Sequence, residues 1–399
     1  MFKLYDLNLR EIPFPDGVMP LDIFVGSISK TRETETIPGR NGVMNYGFNY
    51  DSRPVRITLL AEGNDRIDYR LIRNAVFEIF DLHDVFYIEE TDVPSRVLKV
   101  TIDESYQPDR LTRDDASFDI NLRTLDSVFW ESKYTTLELH DSGYSATAEK
   151  YGLVDNIDVE KVKYRFEPEM FREELAKSEW EVGGINSSTG EDTISDTLIR
   201  TKSYFKTIPG QEYVFEELLN SSKILYWWIM EYDNSGNYIG FFATQGNPQT
   251  NKGTFTARGS RVRMRPTLRS GQTISVDDVG VNIRPTISGA SEISQFTVYN
   301  AGNVTIEPES MHLNIGMRYV TTSGGFTIRN ETTGEEHIIN SAHERRHLRL
   351  NGMVVTSGNL NNFRNTNRRF ISLVPGDNKF TVSSGTFEEI EIDFKYLYK

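Results

Sequence analysis

One five-residue run in this 399-residue sequence has the spacing of a catalytic metal site, His343-Glu344-Arg345-Arg346-His347. An H-E-x-x-H run binds zinc on a helix, where i and i+4 put both imidazoles on one face and the Glu acts as general base. Here the run lies between EEHIIN and NGMVV, both strand-like, and an Asn-Gly turn follows at 351–352. Extended, the two imidazoles stand about 13 Å apart, too far to share one ion. The longer metzincin pattern needs Gly at 350 and His at 353, where this chain has Leu350 and Met353. A zinc hydrolase is therefore the remote alternative. His83, His140, His312 and His337 form no ligand spacing. Neighbouring carboxylates such as Glu216–Glu217 and Asp277–Asp278 point to opposite faces of a strand, so they make no glycosidase pair. No catalytic residue, metal or cofactor is expected.

The next chemistry is binding. In ILYWWIMEYD, alternation puts Tyr226, Trp228, Met230 and Tyr232 on one face, and Leu225, Trp227 and Ile229 on the other. Both faces are apolar, which predicts a central strand. One reading packs both Trp in a core. The other lets Tyr226, Trp227, Trp228 and Tyr232 line a concave surface on which a sugar ring stacks. RVRMRP places Arg261, Arg263 and Arg265 on a common face, with Val262 and Met264 inward. That stripe suits an anionic wall polymer, or it pairs with Glu216, Glu217 or Glu231 across the sheet. A second basic group, Arg345, Arg346, Arg349, Arg364, Arg368 and Arg369, reads as an interface or as a solvated sheet edge.

These residues need a scaffold, and the scaffold is β. Short runs such as VRITLLA, VFYIEE, RVLKVTIDE and FDINLRTL alternate and end at Gly, Pro, Asp or Asn. Residues 64–82 differ. Ile67, Leu71, Ile72, Ala75, Val76, Ile79 and Phe80 form a helical stripe, capped by Asn64 or Asp65, that must pack on a sheet. A turn-rich stretch follows from 141. EPEMFREELAKSEW at 167–180 reads as helical or connecting, then closely spaced β runs continue to a linker-like IRPTISGASE. The remainder to 399 is again β.

Composition narrows the function class. The formal charge is −14 and there is no Cys, so disulfide frameworks, thiolate metal sites and Cys nucleophiles are excluded. Broad nucleic-acid binding needs a cationic footprint that this chain lacks. No run of about 18 apolar residues is present, so no helical span is expected, and the charged opening MFKLYDLNLREIPFPDG predicts no leader.

Three stretches taken together resemble one family. They are IPGRNG with NYGFNYDSRPVRITL, the helix with FDINLRTLDSVFWESKY, and a C-terminal series running FTVYNAGNVTIEP, IRNETTG, LRLNGM, NTNRRFISLVPGDN and IEIDFKY. In this order they resemble the distal tail protein (Dit) family of long-tailed siphophages of Gram-positive bacteria, over about 1–165 and about 290–399. The resemblance implies a virion structural protein. It would form a homo-hexameric ring at the tail tip, joining the tail tube protein to the tail-associated hub or lysin protein. It implies an N-terminal ring-forming domain (1–140) and a galectin-like C-terminal β-sandwich (141–166 and 290–399). The extended hairpin at about 30–60, with its tip at Pro38, Gly39, Arg40, Asn41 and Gly42, would wrap a neighbouring subunit.

The sequence departs from the short form of the family. VKYRF (162–166) would run almost directly into FTVYNAG (296–302), yet about 125 residues intervene. The insertion, 167–289, looks like a carbohydrate-binding jelly roll. The expected fold class is therefore mainly β: an N-terminal sheet or barrel with one α-helix and a long hairpin, a galectin-like sandwich, and an inserted jelly-roll sandwich. Expected partners beyond the ring are a receptor-binding protein and host cell-wall polysaccharide, with no nucleic acid and no membrane insertion. The expected place is the distal end of the virion tail, after synthesis in the host cytoplasm. A stand-alone carbohydrate- or receptor-binding protein is the alternative.

Overall fold

A computed structural model describes residues 1–142, 159–219, 221–244, 252–291 and 293–399. The chain is mainly β, with two α-helices among the described residues. The first sheet runs Glu11–Ile12, Phe2–Tyr5, Val85–Glu90, Arg96–Ile102, Asp115–Thr124, Pro54–Glu62 and Val18–Val25 from edge to edge, so it is open and not a closed barrel. Alternation builds it. Val55, Ile57, Leu59 and Ala61 of one strand and Ala116, Phe118, Ile120 and Leu122 of its neighbour are buried, while the residues between them are not.

Helix α1 (Arg66–Leu82) covers this sheet. The Asp65 carboxylate accepts from the Ile67 and Asp68 N–H groups and caps it. The buried line is Tyr69, Ile72, Val76 and Phe80. The expected stripe is thus displaced by part of a turn. Ile67 and Leu71 are 72% and 62% exposed, and Tyr69 takes the core position instead, with the Arg110 guanidinium 4.7 Å above its ring. An amphipathic tyrosine with a cation over its outer face is as good an anchor as an aliphatic residue.

The hairpin Lys30–Glu35 and Met44–Tyr50 forms a two-stranded sheet of its own, outside the main one. Only its base is tied down. Asp51 N donates to Ser29 O at 3.1 Å, and the Tyr50 ring meets Phe129 edge-on at 5.2 Å.

A second core fills a sandwich. Its six-stranded sheet runs Arg165–Phe166, Glu389–Phe394, Leu313–Thr322, His343–Asn351, Val354–Ser357 and Leu360–Asn361. The four-stranded sheet runs Ile293–Asn300, Gly376–Ser383, Phe326–Asn330 and Glu335–Ile339. Helix α2 (Thr136–Asp141), with a capping box of Thr135 and Glu138, packs Leu139 into this core. The chain has therefore crossed into the sandwich core before residue 140, the end expected for the N-terminal unit. Most of the turn-rich stretch from 141 lies outside the described residues. The two units are sewn together by Trp130–Ser132, which pairs on one side with Arg96–Ile102 and on the other with the terminal strand Leu397–Tyr398.

Buried in this sandwich, His337 has one hydrogen bond. Its Nδ1–H donates to the Arg369 carbonyl at 2.6 Å, and Nε2 has no partner. Burial holds its pKa below the ordinary histidine value. The unfolded chain therefore binds a proton near pH 6.5 that the folded chain refuses, and stability falls as pH drops below about 6.5. Urea midpoints measured between about pH 7.5 and 5 should decline, by up to about 1.4 kcal/mol per pH unit from this group. His337→Asn, which keeps a donor for Arg369, should flatten that slope.

The third core lies between two four-stranded sheets. One runs Met170–Glu174, Pro285–Ala290, Glu212–Glu217 and Lys252–Thr256. The other runs Phe205–Lys206, Arg261–Leu268, Ile224–Tyr232 and Tyr238–Ala243. Two sequence expectations fail here. Met170–Glu174 is a strand, not a helix, and 285–290 is an internal strand, not a linker. The two pair directly, Met170 opposite Ala290 through Glu174 opposite Thr286. Below that pairing Ser291 N donates to Glu169 O, Glu169 N donates to Ser294 Oγ, and the Phe166 and Phe296 rings stack at 4.2 Å. The chain thus enters and leaves this unit through one hydrogen-bonded two-stranded stem.

Candidate functional site

The strand Ile224–Tyr232 is central, as its two apolar faces predict. Trp227 and Ile229 point into the main core, where the Trp227 ring meets Trp180 at 5.7 Å and Phe215 at 5.1 Å. Trp227 is 0% exposed and is no sugar platform. On the other face Trp228 lies opposite Arg265, Met230 opposite Arg263, and Tyr232 opposite Arg261. The aromatic run and the arginine stripe are therefore one surface.

Half of that surface is roofed. Residues 184–201 cross it and take its polar groups. The Tyr232 hydroxyl donates to Gly190 O at 2.7 Å. Arg265 Nε donates to Ile185 O at 2.7 Å, and Arg263 donates twice to Thr201 O and pairs with Asp192 at 2.6 Å. Gly190, at φ +71°, lies against the Tyr238 ring with no room for a Cβ. Tyr232 and Arg263 are buried and unavailable to a ligand. The expected carboxylates are engaged elsewhere. Glu231 takes Arg258, Glu216 takes Arg172, and Glu217 accepts the backbone N–H groups of Leu219, Ser221 and Arg284.

Beyond the roof three rings remain together at the surface. Trp228 lies 5.7 Å from Tyr226 and 4.2 Å from Phe241, centroid to centroid. Its indole N–H donates to Thr267 Oγ1 at 2.6 Å, which fixes the ring plane. The Arg265 guanidinium sits 5.3 Å from the same ring. Phe241 is 42% exposed and was missed from sequence, although the alternation of YIGFFA places it opposite Met230 on this face. Arg261 is half-buried at the roofed end, near Tyr204. The rings are inclined to one another, Tyr226 by 56° and Phe241 by 61° to the Trp228 plane, so one ring face at a time can stack on the apolar face of a sugar while the polar edges beside it hydrogen-bond the rim.

The other candidate surface is the hairpin arm. Pro38, Gly39, Arg40, Asn41 and Gly42 form its exposed tip, with Gly39 at φ +85° and Gly42 at φ +87°, and nothing lies within 4 Å of where a Cβ would stand at either glycine. Val43, Tyr46 and Phe48 are exposed along the return strand, and every residue of Lys30–Glu35 is exposed.

The H-E-x-x-H run lies on the strand His343–Asn351, not on a helix. A bulge at Arg345 (φ +46°) turns its histidines to different neighbours, His343 to Ser341 Oγ at 2.9 Å and His347 to the Tyr319 ring at 4.5 Å. Among the described residues no cluster of acidic and histidine side chains could hold a metal.

Residues 16–124, which span the arm, α1 and most of the first sheet, match the phage tail protein RIFT-related domain. Residues 16–124 are similar to a phage tail domain. Over those residues this bears out the resemblance read from the sequence. Among solved structures, the tail domain and the units after it align with the crystal structure of the SPP1 Dit protein, described as a hub of the adsorption apparatus in phages infecting Gram-positive bacteria. The identity is 9%, with 100% of both chains covered and a TM-score of 0.35. The phage p2 baseplate in its activated conformation with Sr aligns at 10% identity, over 99% of this chain and 97% of that one, with a TM-score of 0.33. Likenesses at these scores carry no functional argument. No curated protein matches the sequence.

Proposed function

We propose that this phage tail protein is a structural part of the tail tip. It assembles as a homo-hexameric ring that joins the tail tube to the tail-associated hub at the distal end of the virion tail, and it has no enzymatic role. The first-sheet unit is the ring-building domain, and the galectin-like peripheral sandwich takes in the helix Thr136–Asp141 together with 159–166 and 293–399. Residues 167–289 form a jelly-roll module directed outward. The arm carries this reading. An isolated two-stranded hairpin is marginal in water, and this one exposes both strands and five large apolar side chains, Ile37, Val43, Tyr46, Phe48 and Tyr50, inside the matched tail domain. Packing against a neighbouring subunit supplies what the arm lacks.

The test is mass in solution, with ring particles sought by negative-stain imaging. Because Ser29 and Asp51 are hydrogen-bonded at the base, residues 30–50 can be replaced by a two-residue Gly turn without moving the sheet. The full chain should form rings, and the armless variant should be monomeric with an unchanged unfolding midpoint. A full chain that stays monomeric, alone and with tube and hub present, sinks the reading, as does an armless variant that keeps its ring.

One observation supports a role for the inserted module. The half-buried Tyr226 and Trp228 with the exposed Phe241 form an aromatic cluster that reaches the surface, and it suits host cell-wall glycan. Sixfold display would turn weak sites into useful avidity.

A further inference from the structure

Asn-Gly occurs twice in the sequence, at 41–42 and 351–352. Glycine has no Cβ, so its backbone nitrogen can close on the preceding amide side chain wherever the chain is free to bend. Exposure does not separate the two sites, because Asn41 and Asn351 both face solvent. The backbone does. Asn351 ends the strand His343–Asn351 and lies opposite Asn314 on one side and Val354 on the other. The Gly352 N–H donates to Leu313 O at 2.9 Å, and a Cβ on Gly352 would stand 3.0 Å from Pro308 O. That nitrogen is held by the sheet and is not free to turn.

At the arm tip nothing comparable holds the chain. The ladder of the hairpin stops at Glu35 opposite Met44. From Ile37 to Gly42 the one backbone hydrogen bond among the described residues is Arg40 N to Ile37 O, at 3.1 Å. The Asn41 side chain and the Gly42 N–H have no hydrogen-bond partner among the described residues. Nothing lies within 4 Å of a Cβ built at Gly42, so the Asn41 amide can swing onto the Gly42 nitrogen unobstructed.

We propose that Asn41 is a site of spontaneous deamidation in the unassembled chain. The Gly42 nitrogen, its proton taken by hydroxide, attacks Asn41 Cγ. An N–Cγ bond forms, the Cγ–Nδ2 bond breaks, and the amide leaves as ammonia, with water returning the proton. The succinimide then takes up one water. Opening at Cγ gives aspartate. Opening at the main-chain carbonyl gives isoaspartate and routes the backbone through one more carbon. Nothing is oxidised or reduced. Either product puts a carboxylate beside Arg40, the one charged residue of 36–43. On a chain of formal charge −14, cancelling that cation removes attraction to a second copy. This consequence rests on the tail-tip reading. In the ring a neighbouring subunit covers the tip, so assembled chains are protected and unassembled chains age out of competence.

The full chain is incubated at mildly alkaline pH in three states: unfolded in urea, folded at a dilution where mass shows a monomer, and concentrated as rings. Peptide mapping by mass spectrometry reads the gain of one mass unit at each asparagine, and a protein-isoaspartate methyltransferase labels the isoaspartate. The unfolded chain should convert Asn41 and Asn351 at similar rates. The folded monomer should convert Asn41 about tenfold or more faster than Asn351, which reacts only through local opening of its strand. Rings should convert neither. Asn41→Gln, whose longer side chain closes to a less favoured six-membered ring, should remove the fast site. Asn41→Asp should assemble less well than Asn41→Gln at equal concentration. Equal conversion of the two asparagines in the folded monomer overturns the proposal, as does undiminished isoaspartate labelling of Asn41→Gln. Rings that convert Asn41 as fast as the monomer overturn the protection, and equal assembly of the two variants overturns the charge effect. A chain that never forms rings fails the tail-tip reading alone, because the monomer comparison still decides Asn41.

Discussion

Trp227→Ala should lower the stability of the inserted module by about 3–5 kcal/mol, a large share of the roughly 5–15 kcal/mol that holds a domain folded. The ring fills the centre of the third core, between Trp180 and Phe215, and its removal leaves a cavity that two facing sheets cannot close. Trp227→Phe should cost far less. The indole N–H of Trp227 is buried without an acceptor, so the smaller ring also removes an unsatisfied donor. Trp228→Ala, one residue along, should separate the other way. It should leave the melting temperature of the module within a few degrees of the parent and remove binding to purified host cell walls. Differential scanning calorimetry and a wall pull-down together read both. A destabilisation by Trp228→Ala equal to that of Trp227→Ala would show that the aromatic platform is core and nothing more.

Removing Leu397–Lys399 is the second large change. Leu397 and Tyr398 are buried, and Tyr398 pairs with Trp130 while the Arg96 guanidinium lies 3.6 Å from its ring centroid. Leu397 O accepts from Asn303 N, and Lys399 N donates to Asn303 Oδ1. Losing one buried aromatic and one buried aliphatic side chain should cost at least about 3–5 kcal/mol. The loss falls on the seam between the first sheet and the sandwich. The expected thermogram splits into two separated transitions where the parent chain melts these units together. A single transition at an unchanged temperature would show that the terminal strand is not what couples them.

Much of this architecture was legible because alternation and helical period are local. FDINLRTL announces an alternating strand, and residues 64–82 announce a helix with its cap. The failures share one cause, contacts from residues far away in sequence. Tyr69 displaces Ile67 and Leu71 from the core because of where the sheet lies, which period alone does not reveal. The strand Pro285–Ala290 is rich in turn-forming Pro, Gly and Ser, and pairing on both sides makes it internal. Arg263 alternates outward as expected, but a polar segment some 70 residues earlier roofs it, and a pattern with period two carries no record of a further layer. Gly183-Gly184 and Gly190 were the one available signal that 184–201 runs close over other groups. The aromatic platform was half legible. Tyr226 and Trp228 stand out by type, whereas Phe241 joins them only through cross-strand register.

The paired stem has a mechanical meaning. Any pull on the inserted module reaches the sandwich through two covalent backbones, which lie side by side over 169–174 and 285–291. Their mutual hydrogen bonds run perpendicular to the strands, across the line of tension. Nothing in that ladder has to break for load to pass. A module joined by one strand would hang from a single thread and swivel. This one transmits torque as well as force, so a virion anchored through it would be held in orientation as well as in place.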